Sequence, residues 1–125
     1  MKAKPVIVRE VPERFTGEEA HRFFEAVEPF LQGVRPQVVL DFSRVSDLDS
    51  IGVETMLRCM KEVMKQNGEL KLAAIPHRTG LILELMGADH LFEIYASRSE
   101  AVQSFHHFAN YLPQYLVAAS EVGGD

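Results

Sequence analysis

At 125 residues, with 46% apolar and 25% charged residues, the chain has the length and composition of one globular domain. A formal net charge of −5, with no cluster of Lys or Arg, argues against a nucleic-acid binder. A lone Cys59 fits a reducing compartment, no apolar run approaches the roughly 20 residues of a membrane span, and Met1–Pro5 lacks the apolar core of a signal peptide; a cytoplasmic protein with no membrane insertion is expected.

Val6–Val11 is a β-branched run closed by Pro12 and reads as a strand. Pro12–Thr16 turns the chain. Thr16, with Glu19 three residues on, predicts a capping box and a helix to about Leu31, whose apolar face is Ala20, Phe23, Phe24, Val27, Phe30 and Leu31. Gly33 and Pro36 end it.

Val38–Phe42 is apolar except for Asp41, the pattern of a strand buried on both faces of a parallel sheet. The polar loop Ser43–Asp49 leads into a helix from about Ile51 to Gln66. Its expected buried stripe is Val53, Met56, Leu57, Met60, Val63 and Met64, with Cys59 also in the core. Asn67-Gly68 stops it, because glycine adopts the left-handed conformation cheaply. Leu70–Ile75 is the next strand, Thr79–Met86 a shorter helix ending at Gly87, and Phe92–Tyr95 the last strand. Ser97 or Ser99 caps a final helix through about Tyr111, which Pro113 breaks. Strands alternating with helices imply an α/β domain with parallel pairing.

The loop before the second helix is the candidate site, because amide groups at a helix N-terminus can hold an anion. Asp49 or Ser50 supplies the N-cap, worth about 1 kcal/mol. Ile51 offers an apolar contact to a partner or folds inward as a hydrophobic staple. Gly52 costs up to about 1 kcal/mol of helix propensity, which close approach of a partner or of a neighbouring strand would explain. Glu54, Arg58 and Glu62, spaced by four, form a solvated face with ion pairs of about 0.3 kcal/mol each.

The histidines (His21, His77, His90, His106, His107) show no zinc-ligand spacing, and G-x-S-x-G, P-loop and G-x-G-x-x-G motifs do not occur. No enzyme, metal or cofactor is expected. Asp41 is the one residue placed like the acceptor of a phosphorylated receiver domain. The acidic pair that a receiver carries after its first strand is missing from Val11-Pro12-Glu13.

Three segments carry a family resemblance: Val39-Leu40-Asp41-Phe42-Ser43-x-Val45-x-x-Leu48-Asp49-Ser50-x-Gly52, Asn67-Gly68-Glu69-Leu70-Lys71-Leu72, and Gly87-x-x-x-Leu91-Phe92-Glu93-Ile94-Tyr95-x-Ser97-x-x-Glu100-Ala101. In this order and spacing, over about residues 36–108, the chain resembles the STAS domain family of bacterial anti-sigma-factor antagonists and sulfate-transporter tails. The resemblance implies an α/β, single-domain STAS-like fold: a mixed or mostly parallel β-sheet of four to five strands packed with four helices. It spans residues 1–112, with a C-terminal tail at 113–125. The family opens with two strands; Val11–Phe15 leaves room only for a shortened second one, or none.

The resemblance also implies a non-enzymatic, protein-binding regulator of transcription that an anti-sigma-type Ser/Thr kinase switches off by phosphorylation. The acceptor in that signature directly precedes the glycine, and here that position is Ile51, which has no hydroxyl. Ser50 is then the candidate phospho-acceptor, or the protein is a degenerate STAS subunit of a transporter or sensory complex without phosphoregulation. The implied partner-binding surface comprises Asp47, Asp49, Ser50, Ile51, Gly52, Glu54, Thr55, Arg58 and Met86. The partner is the kinase or another protein, and a homodimer is compatible with the reading.

Overall fold

Alternation along Val38-Val39-Leu40 sends Val38 and Leu40 to one face of a strand and Val39 to the other, and all three are fully buried. A strand covered on both faces sits inside a layered sheet, and the structure, a computed structural model describing residues 4–106, has that arrangement. In chain order the strands are β1 (Ile7–Glu10), β2 (Arg14–Phe15), β3 (Gln37–Asp41), β4 (Asp47–Leu48), β5 (Glu69–Ala73) and β6 (Glu93–Tyr95). The helices are α1 (Gly17–Val27), α2 (Ser50–Lys65), α3 (His77–Leu85) and α4 (Arg98–Phe105). The main sheet is parallel throughout in the order β1-β3-β5-β6, and β2 pairs with β4 in a separate two-stranded parallel ribbon.

The larger core joins Val38, Leu40, Leu70 and Leu72 of the sheet to Ala20, Phe23, Phe24 and Val27 of α1, Val53, Met56, Cys59 and Val63 of α2, and Leu83 of α3. Phe15 is fully buried and meets Phe23 and Phe42 edge-on, with centroids 5.3 and 6.1 Å away. The opposite face carries a smaller core of Val39 and Ala73 beneath Ala101 of α4. There the buried Lys71 donates to Ser104 Oγ (2.7 Å) and lies 4.0 Å from the Phe105 ring centre.

Several elements differ from the sequence reading for local reasons. The first helix ends at Val27, and Glu28–Leu31 continues as a 3-10 turn; Pro29 lacks the N–H needed to extend the α-helical ladder. Thr16 has the extended backbone of an N-cap, but its side chain makes no capping bond. Gly17 enters the helix at φ +42°, away from the geometry a capping box requires, and Glu19 pairs with Arg22 at 3.6 Å. Met64 is 60% exposed, whereas Thr55 and Cys59 are buried, so the inward face of α2 runs along Gly52, Thr55, Met56, Cys59 and Val63 and leaves Met64 at its rim.

At the end of α2 the left-handed residue is Asn67 (φ 59°) rather than Gly68. Gly68 is required for space: a Cβ there would lie 2.2 Å from the Pro36 carbonyl oxygen. The third helix starts at His77, ahead of the expected Thr79, with Pro76 in the N-cap position. Ser97, not Ser99, caps α4, accepting from the Glu100 N–H at 3.1 Å. The expected continuation to Tyr111 and the tail after Pro113 lie outside the described residues.

Candidate functional site

The loop between β3 and α2 is positioned by its own backbone before any side chain acts. The Val45 N–H donates to the Phe42 carbonyl (3.0 Å), closing a turn. The Ser46 and Asp47 N–H groups both donate to the Glu13 carbonyl, at 2.8 and 3.1 Å, which lays β4 along β2. From α3 the Thr79 hydroxyl donates to the Val45 carbonyl at 3.3 Å. The start of α2 is thereby fixed against the β1–β2 connection and α3.

Asp49 is the N-cap. Its backbone is extended (φ −125°, ψ −174°) and its Oδ1 accepts from the Gly52 N–H at 2.9 Å. The Val53 N–H bonds the Asp49 carbonyl. The Ser50 and Ile51 amides therefore remain as the donors at this helix end without a partner among the described residues. Ser50 is the first helical residue and is exposed. Ile51 is half-buried and packs against the main core, the inward alternative of the sequence reading.

Gly52 is explained from within the chain: a Cβ there would lie 2.1 Å from the Phe15 carbonyl oxygen and 2.8 Å from Leu48 Cδ1. The backbones of β2 and α2 touch at this point. Thr55 is 1% exposed and its hydroxyl donates to the Ile51 carbonyl at 2.8 Å. Gly52 and Thr55 thus leave the set of candidate surface residues, because both are consumed in seating the helix. Asp47 and Glu54 are exposed, and Asp47 pairs loosely with Arg14 at 3.8 Å. Arg58 stacks its guanidinium 3.9 Å from the centre of the Phe24 ring, so its aliphatic stem roofs α1. Met86 is 42% exposed at the end of α3.

A second constellation lies at the carboxyl ends of the strands. Asp41, 4% exposed, accepts from the Ser43 N–H (2.8 Å) and from Arg98 Nε (2.8 Å), while the same guanidinium reaches Glu10 at 3.1 Å. Burial by itself would raise the Asp41 pKa. The Ser43 N–H and the guanidinium outweigh it and hold the carboxyl below its ordinary 3.8, and Asp41 in turn raises Arg98. The start of α4 is thereby tied to the ends of β1 and β3. Arg98 was not singled out in the sequence; the signal for it was Asp41 itself, a carboxylate inside an apolar run that needs a cation. With both oxygens engaged, Asp41 is a structural anchor rather than a receiver-type acceptor. Burial raises the Cys59 thiol to about 12, which makes it inert. Among the described residues no group of three or more His, Cys, Asp or Glu is placed to hold a metal ion, and no helix is long and apolar enough to cross a membrane.

No curated protein sequence matches the chain. In fold it is similar to the crystal structure of a candidate anti-sigma-factor antagonist from Thermotoga maritima (TM-score 0.71, 23% identity, 82% of this chain and 92% of that one). It is similar also to an anti-sigma-factor antagonist (STAS) domain protein from Planctomyces limnophilus (TM-score 0.74, 21% identity, 81% and 91%). The STAS domain of a SulP transporter from Vibrio cholerae superposes with a TM-score of 0.68 at 16% identity, covering 88% of each chain. The STAS domain family profile matches residues 2–101, four-fifths of the sequence and all of the strand–loop–helix just described; the chain belongs to the STAS domain family.

Proposed function

We propose that the protein is a non-enzymatic regulator that works by binding a protein partner in the manner of an anti-sigma-factor antagonist, with an anti-sigma-type Ser/Thr kinase as that partner. The observation that carries the reading is the start of α2: an exposed Ser50 at the first helical position, its own amide and that of Ile51 without a partner among the described residues, on a helix end whose cap is already supplied by Asp49. A hydroxyl not needed as a cap is available for modification. Ile51, at the family's acceptor position, has its side chain against the core and no oxygen to accept phosphate. Ser50, Asp49, Asp47, Glu54 and Arg58 then form the contact surface, with Met86 at its edge.

The test is incubation of the purified protein with anti-sigma-type kinases of its own genome and ATP, read by intact mass and by pull-down. One phosphate mapped to Ser50, with loss of kinase binding, is the expected result. Stable binding without phosphate transfer makes the protein a constitutive antagonist. Neither binding nor phosphate overturns the assignment for those kinases. It would then favour the second reading, a subunit of a transporter or sensory complex, which the similarity to the SulP transporter domain supports.

A further inference from the structure

The amino ends of β1, β3 and β5 lie at the opposite end of the sheet from the start of α2. Three segments meet there. Lys4 ahead of β1, Arg35 and Gln37 at the entry to β3, and Asn67, Gly68 and Glu69 at the entry to β5 line a cavity of about 340 Å³. Backbone bonds fix its walls: the Arg35 N–H donates to the Gln66 carbonyl (3.0 Å), the Glu69 N–H donates to the Pro36 carbonyl (2.9 Å), and the Lys4 ammonium donates to the Val34 carbonyl.

The lining breaks the rules of local folding in three ways. Arg35 has φ 49°, in the left-handed region where a Cβ crowds the backbone. Gln37 Oε1 is buried and, among the described residues, is the one buried side-chain oxygen or nitrogen without a hydrogen-bond partner, which costs stability. Lys4, Arg35 and Glu69 line the same cavity, yet none of the three forms an ion pair among the described residues. Backbone strain and unmet hydrogen bonds of this kind gather at binding sites, where a ligand offsets them.

We propose that this cavity binds a small zwitterion of the amino-acid class, held by its carboxylate and its ammonium group. The lining selects that chemistry by opposing the simpler ones. Lys4 and Arg35 attract a carboxylate, and the guanidinium fork takes one bidentately. Glu69 repels a bare anion, and the two cations repel a bare cation. A molecule carrying both charges satisfies all three side chains. Its ammonium has three protons to donate, to the Glu69 carboxylate and to Gln37 Oε1, which the amide presents by turning about its last side-chain bond. The volume is at the small end of ligand pockets, which suits a free amino acid. The site is separate from the partner surface at the start of α2 and stands or falls without it.

Titration of the full chain with glycine, L-alanine and L-serine, followed by backbone amide chemical shifts, tests the proposal, with acetate and methylammonium as single-charge controls. The expected result is a set of shifts centred on Arg35, Gln37, Asn67, Gly68 and Glu69 that saturates at millimolar amino acid and does not occur with either control. Arg35→Gly is the variant, because glycine adopts φ 49° without the Cβ penalty. It should keep or raise the thermal midpoint while weakening amino-acid binding at least tenfold. The absence of a saturable shift with all three amino acids, equal shifts with acetate, or an unchanged affinity in R35G overturns the proposal. If R35G lowers the midpoint, Glu69→Gln decides in the same way, since it removes the ammonium's charged partner at an exposed position.

Discussion

Replacing Gly52 with alanine tests whether the start of α2 is set by backbone contact inside the chain. On propensity alone Gly52→Ala should stabilise the helix by about 0.8–1 kcal/mol. The structure reverses that sign. The new Cβ would sit 2.1 Å from the Phe15 carbonyl oxygen, over an ångström inside van der Waals contact, and 2.8 Å from Leu48 Cδ1. The Leu48 methyl can rotate, but the Phe15 oxygen is backbone and Phe15 is fully buried in the main core. Relief requires α2 to move off β2, loosening the Asp49 cap and the buried Thr55 as it goes. Overpacking of this kind costs about 1–3 kcal/mol beyond the propensity gain. We expect a net loss of about 2 kcal/mol, or roughly 5–10 °C in thermal midpoint for a chain of this size. Gly33→Ala is the control, because nothing lies within 4 Å of a Cβ there. Thermal unfolding by circular dichroism reads both variants. A midpoint for Gly52→Ala equal to or above that of wild type would refute the reasoning and return Gly52 to the candidate partner contacts.

Three further outcomes follow from the same geometry. Asp49→Ala removes the N-cap and leaves the Gly52 N–H without its acceptor, so urea unfolding should show a loss of about 1 kcal/mol, whereas Ser50→Ala should change stability by less than about 0.5 kcal/mol because Ser50 caps nothing. Cys59, fully buried with its thiol raised to about 12, should react with a thiol reagent at pH 8 only through opening of the fold, so labelling should accelerate with denaturant; rapid stoichiometric labelling in buffer would contradict its burial. Asp41, whose pKa is lower in the folded than in the unfolded chain, contributes stability that is complete above about pH 4 and lost as the pH falls through the folded value. Arg98→Ala should therefore lower stability at pH 7 by about 1–2 kcal/mol, a buried-pair loss discounted because Arg98 is 47% exposed, and should flatten the acid limb of stability against pH.

The succession of strands and helices was legible because the strands of the main sheet are short runs bounded by turn residues, α1 and α2 carry a repeating apolar face, and glycine, proline and serine mark the ends of α3 and α4. What local pattern could not resolve was contact between distant segments. Gly52 looked equally like a partner contact and a packing contact, since only the approach of Phe15, thirty-seven residues earlier, distinguishes them. Thr55 reads as a polar surface residue until its bond to the Ile51 carbonyl is seen. Asp49 and Ser50 are both good caps in sequence, and the extended backbone at Asp49 decides between them. The Arg98–Asp41–Glu10 cluster joins residues up to 88 apart, and no spacing rule reaches that far.

If Ser50 is the acceptor in place of Ile51, as proposed, the one-residue shift alters what a phosphate there could do. Neighbouring positions on a helix are turned by about 100°, so a group on Ser50 projects from a different face than one on residue 51. A phosphate at Ser50 would gain about 0.3–1 kcal/mol from the helix end, where the Ser50 and Ile51 amides have no partner among the described residues. It would also sit beside Asp49, whose carboxylate already holds the Gly52 N–H. Repulsion between a group of about −2 charge and a carboxylate roughly 6 Å away in water is about 1.4 kcal/mol. The repulsion exceeds the gain by only about 0.4–1.1 kcal/mol, so modification should cost the fold little. Its consequence would fall on the partner: two added negative charges on a face that already presents Asp47 and Glu54 would repel an acidic docking surface and would have to be desolvated against an apolar one. A phospho-mimetic Ser50→Glu variant should therefore keep the wild-type thermal midpoint within about 2 °C while weakening partner binding. A large drop in midpoint would mean that the helix start, not the partner, absorbs the charge.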